Sequence, residues 1–262
     1  MTSRYTLAEA GGGTRLEGRV VLVTGAAGGI GSAVSLACAR QGATVLLLDR
    51  NRRGIDQLYD RIVAEGLPEP AGIHEDLARL DGARAVALAG QVTDNCAGLH
   101  ALIHAAQDDA PLAPVEHYPV DTFRRLLDTQ VTAPFILCRT LLPLLRAAAE
   151  PRIVLTGGAA GRRPRAYHGA AAIGWSGADM LAGILDQEFE ADGTLRAFSI
   201  DPGSVDTTMH NRWYPGRSAA DLPKPGDVAD AYVFLVSAES RDFAGPLCTL
   251  DDGVLEGAGF PS

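Results

Sequence analysis

The sequence has little positive charge, few cysteines and no long apolar run. Its formal net charge is −9 at pH 7, which argues against nucleic acid as a main partner because phosphate binding needs clustered positive charge. The cysteines are Cys38, Cys96, Cys138 and Cys248, which lie far apart and form no CxxC pair. This spacing favours reduced thiols in a cytoplasmic protein over a disulfide scaffold or a metal site. No apolar run approaches the ~18 residues that span a membrane.

Length and composition fit one α/β domain. The chain has 262 residues, of which 47% are hydrophobic and 30 are glycine, and these values suit a sizeable core built from strand-turn-helix units. We interpret residues 1–15 as a flexible polar N-terminal tail and residues 16–262 as the domain. The Pro- and Gly-containing stretch at 209–226 is predicted to be a surface excursion within that domain.

Short apolar runs alternate with amphipathic stretches along the domain. Continuous apolar strands separated by helices predict a parallel sheet covered on both faces. The predicted strands are Val20–Val23, Thr44–Leu48, a weakly patterned one within Glu69–Asp76, Ala101–His104, Ile153–Leu155, Phe198–Ile200 and Leu247–Leu250. The periodicity predicts helices over Ile30–Arg40, Val120–Arg146 and Gly169–Glu188.

A glycine-rich turn joins the first strand to the first helix. It reads TGAAGGIG over residues 24–31. Gly25 permits the tight turn, Gly29 lets the backbone approach a pyrophosphate, and Gly31 allows close packing of helix and strand. The helix N-terminus presents free N–H groups and the positive end of its dipole. The turn therefore predicts dinucleotide binding.

Acidic residues at two strand ends extend the predicted cofactor site. Asp49 ends the second strand, where a carboxylate accepts hydrogen bonds from a ribose diol and repels a 2′-phosphate. Arg50 beside it would do the reverse, and we favour NAD over NADP. Asp76 and Leu77 follow the third strand, where an adenine contact is expected.

These motifs resemble those of the short-chain dehydrogenase/reductase superfamily over nearly the whole chain. The TGxxxGxG turn is that family's variant, DPG at 201–203 with a following threonine resembles its PG motif, and LDDG at 250–253 resembles its closing strand and turn. The resemblance implies a single Rossmann-like, doubly wound domain with strand order 3-2-1-4-5-6-7. The residues implied for the dinucleotide are Thr24, Gly25, Gly29, Ile30, Gly31, Asp49, Arg50, Asp76, Leu77, His104, Ala105, Pro202, Gly203 and Thr207.

The residues at the family's reactive positions are unable to perform its usual chemistry. Family enzymes use a tyrosine phenol as proton donor and a lysine four residues later, which lowers the phenol pKa and holds the nicotinamide ribose. A serine after the fifth strand and an asparagine in the preceding helix complete the set. The tyrosine, lysine, serine and asparagine positions hold Ala171, Trp175, Gly158 and Gln130. Since Lys224 is the only lysine in the chain, no YxxxK motif exists.

These four substitutions lead to the expectation of a binding, regulatory or structural subunit that has lost ordinary oxidoreductase chemistry. The Trp175 indole would lie where the lysine normally reaches the nicotinamide ribose. We therefore expect a half-site that keeps the adenine and pyrophosphate positions and has its nicotinamide end blocked. The alternative is an active NAD(P)-dependent oxidoreductase of a carbonyl or alcohol substrate, with a relocated acid such as Tyr167 or His168.

Charged side chains near the expected cleft allow more than one interpretation. Arg162, Arg163 and Arg165 follow the fifth strand, where they would hold an anionic ligand, form a solvated loop or contact another subunit. His104 ends the fourth strand near the expected cofactor. It would hydrogen-bond a neighbouring backbone carbonyl or titrate near neutral pH.

The two long helices after the fourth and fifth strands resemble the family's usual dimer surface. They predict a homodimer or homo-oligomer, with pairing to an intact relative as an alternative. Their small and apolar residues include Ala133, Phe135, Ala170, Ala171, Ala172, Leu181 and Leu185.

Overall fold

The computed structural model describes residues 2–7, 14–191 and 193–260. The continuous apolar runs of the sequence form the strands at its centre. Strands at the middle of the sheet are buried along their whole length because helices cover both faces. The strands are β1 (Ser3–Thr6), β2 (Val20–Thr24), β3 (Thr44–Asp49), β4 (Ala71–His74), β5 (Ala101–His104), β6 (Arg152–Thr156), β7 (Arg196–Asp201), β8 (Leu247–Asp251) and β9 (Val254–Ala258).

The predicted strand order is confirmed. Strands β4-β3-β2-β5-β6-β7-β8 lie side by side and pair in parallel, which is the order 3-2-1-4-5-6-7 when β2 is counted first. Strands β9 and β1 extend the sheet beyond β8 in antiparallel fashion. The order reverses between β2 and β5, and ligands of such sheets bind at this reversal, beyond the carboxyl ends of the strands.

The sheet divides the core into two apolar layers, and helices cover each layer. Helices α1, α2 and α9 pack on one face of the sheet, and α3, α5 and α7 pack on the other. The helices are α1 (Gly29–Arg40), α2 (Arg52–Ala64), α3 (Gly82–Asn95), α4 (Val120–Leu127), α5 (Ala133–Ala147), α6 (Ala159–Arg162), α7 (Gly169–Glu190), α8 (Thr208–Trp213) and α9 (Pro225–Val236).

The interpretation of residues 1–15 as a flexible tail is wrong for part of that segment. Ser3–Thr6 is the edge strand β1, and the Tyr5 ring stacks on Phe234 with centroids 3.8 Å apart. Arg15 donates to Asp230 on α9. This strand could not be predicted from the sequence, because its four residues are mostly polar and its partner β9 lies at the other end of the chain. Residues 8–13 lie outside the described residues.

The predicted helix over Val120–Arg146 is interrupted. One π-helical turn, Asp128–Thr132, separates α4 from α5. Pro134 explains this turn, because it has no N–H to donate to the carbonyl of Gln130 and its ring crowds that carbonyl. The wider turn places Gln130 in the buried space between α5 and α7. Such π-turns are frequent at functional sites.

The stretch at 209–226 folds back over the carboxyl edge of the sheet. It begins within α8, and the Trp213 indole Nε1 donates to the Ala110 carbonyl, which follows β5, at 2.7 Å. This hydrogen bond fixes α8 across the cleft described below. Among the described residues, no helix has the length and apolar character needed to cross a membrane.

Candidate active site

Two glycines of the turn, Gly25 and Gly31, leave no room for a side chain. Gly25 has φ +68°, and a Cβ atom there would lie 2.6 Å from the Ala106 Cα. A Cβ on Gly31 would overlap the Gly25 carbonyl oxygen, so this residue lets α1 pack against the turn. A Cβ on Gly29 would lie 3.0 Å from the Thr207 side chain. Because no side chain caps the N-terminus of α1, its backbone N–H groups are available to a phosphate.

A cleft of about 430 Å³ opens beside this turn. Ten of the fourteen residues predicted for the dinucleotide line it, namely Gly25, Gly29, Ile30, Gly31, Asp49, Arg50, Asp76, Leu77, Ala105 and Thr207. The other four, Thr24, His104, Pro202 and Gly203, are not on its wall. The sequence missed several lining residues because they lie in loops and in α8 without a motif, among them Gln107, Asp109, Met209 and Arg212.

The end of the cleft next to β3 carries one negative side chain, Asp49, and one positive side chain, Arg50. Asp49 accepts from the backbone N–H of Ala27 at 3.0 Å and of Asn51 at 2.8 Å, so its carboxylate is fixed in orientation. Arg50 is half-exposed and lies 3.4 Å from the buried carboxylate of Asp108. Burial raises the pKa of Asp108, whereas the Arg50 guanidinium lowers it. Asp108 also accepts a shorter hydrogen bond, 2.6 Å, from Arg125, so Arg50 shares this carboxylate with a second guanidinium.

His104 lies behind the cleft and not on its surface. Its Nδ1 is 2.9 Å from the Thr24 hydroxyl, and the side chain is 1% exposed. Burial lowers the pKa of His104 to about 4, so the imidazole is neutral at pH 7. Of the two interpretations of His104, burial favours the structural one over titration near neutral pH, because the buried charged form loses its hydration.

Trp175 fills the space of the missing catalytic residues. A Cβ on Gly158 would lie 2.8 Å from the indole Cδ2 and Cε3, and a Cβ on Gly161 would lie 2.7 Å from the Trp175 Cβ. The indole Nε1 donates to Gln107 Oε1 at 3.1 Å, and the Gln130 amide donates to the same oxygen. At the family's lysine position stands the Trp175 indole, and at its serine position stands Gly158, which makes room for that indole. At its asparagine position stands Gln130, whose amide is hydrogen-bonded to Gln107.

The two candidate acids differ sharply in their surroundings. Tyr167 has φ +71° and is 59% exposed. His168 is buried, and its Nε2 lies 2.7 Å from the Tyr214 hydroxyl while its Nδ1 lies 2.9 Å from the Ala166 carbonyl. Because a carbonyl only accepts, Nδ1 carries a hydrogen and Nε2 accepts from the phenol in the neutral ring. Sequence reasoning missed Tyr214, which lies 46 residues from its partner.

The arginines after β6 do not form an anion site together. Arg162 makes a bidentate ion pair with the buried Asp179, at 3.0 and 3.1 Å, and also donates to the Cys248 carbonyl. Its charge is therefore compensated within the core. Arg163 is exposed, and the Arg165 guanidinium lies over the Tyr214 ring at 5.4 Å.

Comparison with known proteins identifies the family. The family model for short chain dehydrogenases matches residues 19–218. Oxidoreductase YciK of Escherichia coli is 30% identical over 86% of this chain and 89% of its own length. D-threitol dehydrogenase of Mycolicibacterium smegmatis is 28% identical over 91% and 94%. A Shigella flexneri short chain dehydrogenase, solved in complex with NADP, is 30% identical with a TM-score of 0.86 over 90% of this chain and 97% of that one.

The chain belongs to the short-chain dehydrogenase/reductase superfamily. The expectation of a binding, regulatory or structural subunit without oxidoreductase chemistry is wrong, because relatives that match nearly the whole chain are oxidoreductases and dehydrogenases. That expectation gave most weight to the residues at four family positions and less to the relocated acids Tyr167 and His168. It did not consider Tyr214, whose hydroxyl lies 2.7 Å from His168 Nε2.

The contact between Trp175 and Gly158 predicts that substitutions at these two positions affect the free energy of unfolding non-additively. Gly158→Ser should lower the free energy of unfolding by about 1–3 kcal/mol, because the new side chain overpacks against the indole. The same substitution in a Trp175→Ala background should cost much less. Urea denaturation of the four proteins measures this coupling. Gly216→Ser is the control, since a Cβ there meets nothing within 4 Å. Equal costs in both backgrounds would contradict the contact.

The buried His104 predicts a loss of stability in mild acid. The unfolded imidazole binds a proton near pH 6.5, at about the unperturbed value, but the folded one does so only near pH 4. The unfolded chain therefore takes up more protons between these values, and His104 lowers the free energy of unfolding by about 1.4 kcal/mol per pH unit as pH falls.

Urea denaturation at pH 7 and pH 5 tests this effect. His104→Gln should reduce the difference between the two pH values, whereas His117→Gln, at an exposed position, should leave it unchanged. A difference that His104→Gln leaves intact would show that the imidazole is not the group responsible.

Proposed function

We propose that this chain is an NAD(P)-dependent oxidoreductase that interconverts a carbonyl compound and an alcohol. The observation that supports it most is the cleft at the β2–β5 reversal, whose glycine turn excludes any Cβ at Gly25 and Gly31. Its oxidoreductase relatives extend over the same length, and one is solved with NADP. When bound, the dinucleotide supplies two electrons as hydride. The chain itself must bind it, orient it and move a proton.

The residues of the cleft fit a dinucleotide. The unoccupied N–H groups at the start of α1 would bind the pyrophosphate, and Asp76 and Leu77 would contact the adenine. Asp49 would accept hydrogen bonds from the adenosine ribose and repel a 2′-phosphate, because its two oxygens are already aimed by backbone donors. Arg50 would accommodate such a phosphate, but Asp108 compensates part of its charge. We therefore favour NAD(H), with NADP(H) as a weaker cofactor.

The exposed apolar side chains of α5 and α7 support a homodimer. Phe135, Ile173, Met180 and Ile184 are each 45–55% exposed, and exposed large apolar groups grouped on neighbouring helices are typical of protein interfaces. Pairing with an intact relative is the alternative, and it requires the isolated chain to be monomeric.

The cysteines support a cytoplasmic location. All four are free thiols, and burial raises the pKa of Cys38, Cys138 and Cys248 to about 12. Inert, reduced thiols are typical of proteins in a reducing compartment.

The proposed activity predicts turnover of the purified chain. NADH and NADPH oxidation against a panel of ketones and aldehydes, and the reverse reaction with alcohols, should identify substrates with a higher kcat/KM for NADH. Asp49→Asn should shift the ratio of kcat/KM values toward NADPH by about tenfold, or about 1.4 kcal/mol. Asp56→Asn, an exposed carboxylate on α2, should leave the ratio unchanged. No turnover with either dinucleotide in either direction would contradict the proposal.

The proposed dimer predicts a change of mass on charge insertion. Met180→Glu and Ile184→Glu on α7 should yield monomers, because a carboxylate buried in an apolar interface lacks a partner. Sedimentation equilibrium measures the mass. Val86→Glu on α3, whose side chain is 65% exposed, should remain dimeric. A monomeric wild-type chain would contradict the homodimer and favour the heteromer.

A further inference from the structure

We infer that Tyr214 is the catalytic proton donor to the substrate oxygen and that His168 returns the proton to it. This inference rests on the proposed oxidoreductase function and names the residues of its acid–base step. It replaces the family's tyrosine and lysine with a phenol and an imidazole from other positions. The hydrogen bond between Tyr214 Oη and His168 Nε2, 2.7 Å long, carries the argument.

The pair is fixed in one orientation. His168 precedes α7 and is 6% exposed, and the hydrogen bond from Nδ1 to the Ala166 carbonyl sets its tautomer. The edge of the Trp213 ring packs against the imidazole with centroids 5.8 Å apart. A buried imidazole with one nitrogen bound to a carbonyl and the other to a phenol is arranged to pass a proton along the phenol.

The pair also lies close to the family's reactive position. His168 precedes Ala171 by three residues, which corresponds to a rise of about 4.5 Å along a helix. Tyr214 follows directly after α8, and Thr208, Met209 and Arg212 of the same helix line the dinucleotide cleft. The phenol thus follows a helix that lines the cleft, although neither Tyr214 nor His168 is on the cleft wall.

Positive charge faces the phenol. The Arg165 guanidinium lies 5.4 Å from the centroid of the Tyr214 ring. The His210 ring lies 4.9 Å from the same ring, and burial lowers the pKa of His210, so that it is neutral at pH 7. Arg217 lowers the pKa of His210 and Asp206 raises it. The Arg165 guanidinium therefore places one positive charge over the face of the Tyr214 ring.

The other hydroxyl groups near the family's positions are engaged elsewhere. Thr156 shares a buried hydrogen bond of 3.1 Å with the Tyr232 hydroxyl, and Ser176 donates to the Gly161 carbonyl. Tyr167 points its side chain into solvent. Tyr214 is the phenol in this region with an imidazole acceptor.

In carbonyl reduction, the hydride and the proton come from different groups. A bound NAD(P)H would supply the hydride and its two electrons to the carbonyl carbon, whose oxygen becomes an alkoxide. The Tyr214 O–H bond breaks and its proton neutralises the alkoxide to the alcohol. The Nε2–H of protonated His168 returns a proton to the phenolate, and solvent reprotonates the imidazole. Alcohol oxidation runs in reverse and needs neutral His168.

Substitution of the pair tests the inference. Tyr214→Phe keeps the ring and removes the O–H, so kcat for reduction should fall on the order of 10² or more, with the Kd for NADH unchanged. His168→Gln should lower kcat and also remove the rise of the reduction rate with falling pH that proton return by an imidazolium predicts. Tyr59→Phe, at a half-buried position on α2 that does not line the cleft, should behave as wild type.

The outcomes separate the two proposals. Wild-type turnover with full activity in Tyr214→Phe would overturn the relay and leave the oxidoreductase function standing. A loss of kcat in Tyr167→Phe equal to that in Tyr214→Phe, or an unchanged pH profile in His168→Gln, would also overturn the relay. A wild-type chain with no turnover would overturn both.

Discussion

The packing of the Trp175 indole against Gly158 and Gly161 is the contact on which the rest of the site depends. With 2.7–2.8 Å between the indole side chain and a Cβ at either glycine, position 158 accepts no side chain, the family's serine included. The glycine at position 158 and the tryptophan at position 175 are therefore linked, because the indole occupies the space that a side chain at 158 would need. The Gln107 and Gln130 amides join the indole in one hydrogen-bonded group and fill the remaining space.

The glycine turn and Asp49, which we propose to bind the dinucleotide, are held by contacts that do not involve Trp175. Gly25 and Gly31 are fixed by backbone atoms of the turn and of Ala106, not by anything near Trp175. Asp49 is held by two backbone N–H groups at the far end of the cleft. The substitutions at the family's reactive positions therefore leave the packing of the turn that we propose to bind phosphate unchanged.

Much of the fold was predictable, since local signals determine it. Apolar runs located six of the seven parallel strands, β4 was expected on only a weak pattern, and the glycine turn located the cleft. The edge strand β1 was not predictable, because its partner is distant in sequence, and Pro134 gave an overlooked signal for the π-turn at Gln130. The site was predictable only in part. The four substitutions were correct as sequence observations, but the functional conclusion drawn from them was wrong.

That error has a physical origin. Side chains that share a site are brought together by the fold, and Tyr214, which we propose as the proton donor, contacts His168 from 46 residues away. No periodicity or motif marks such a pair. Similarly, Arg162 could not be recognised as a core residue until Asp179 was found facing it.

One measurement tests the central claim, that the glycine turn and Asp49 bring the reactive ring of a dinucleotide to the end of the site that Trp175 fills. The chain contains two tryptophans, and both lie there, with Trp175 and Trp213 ring centroids 5.9 Å apart. Titration with NADH should quench tryptophan emission saturably and sensitise emission from the dihydronicotinamide, while ADP binds without this energy transfer. Binding of NADH with no energy transfer, or no binding at all, would contradict the account.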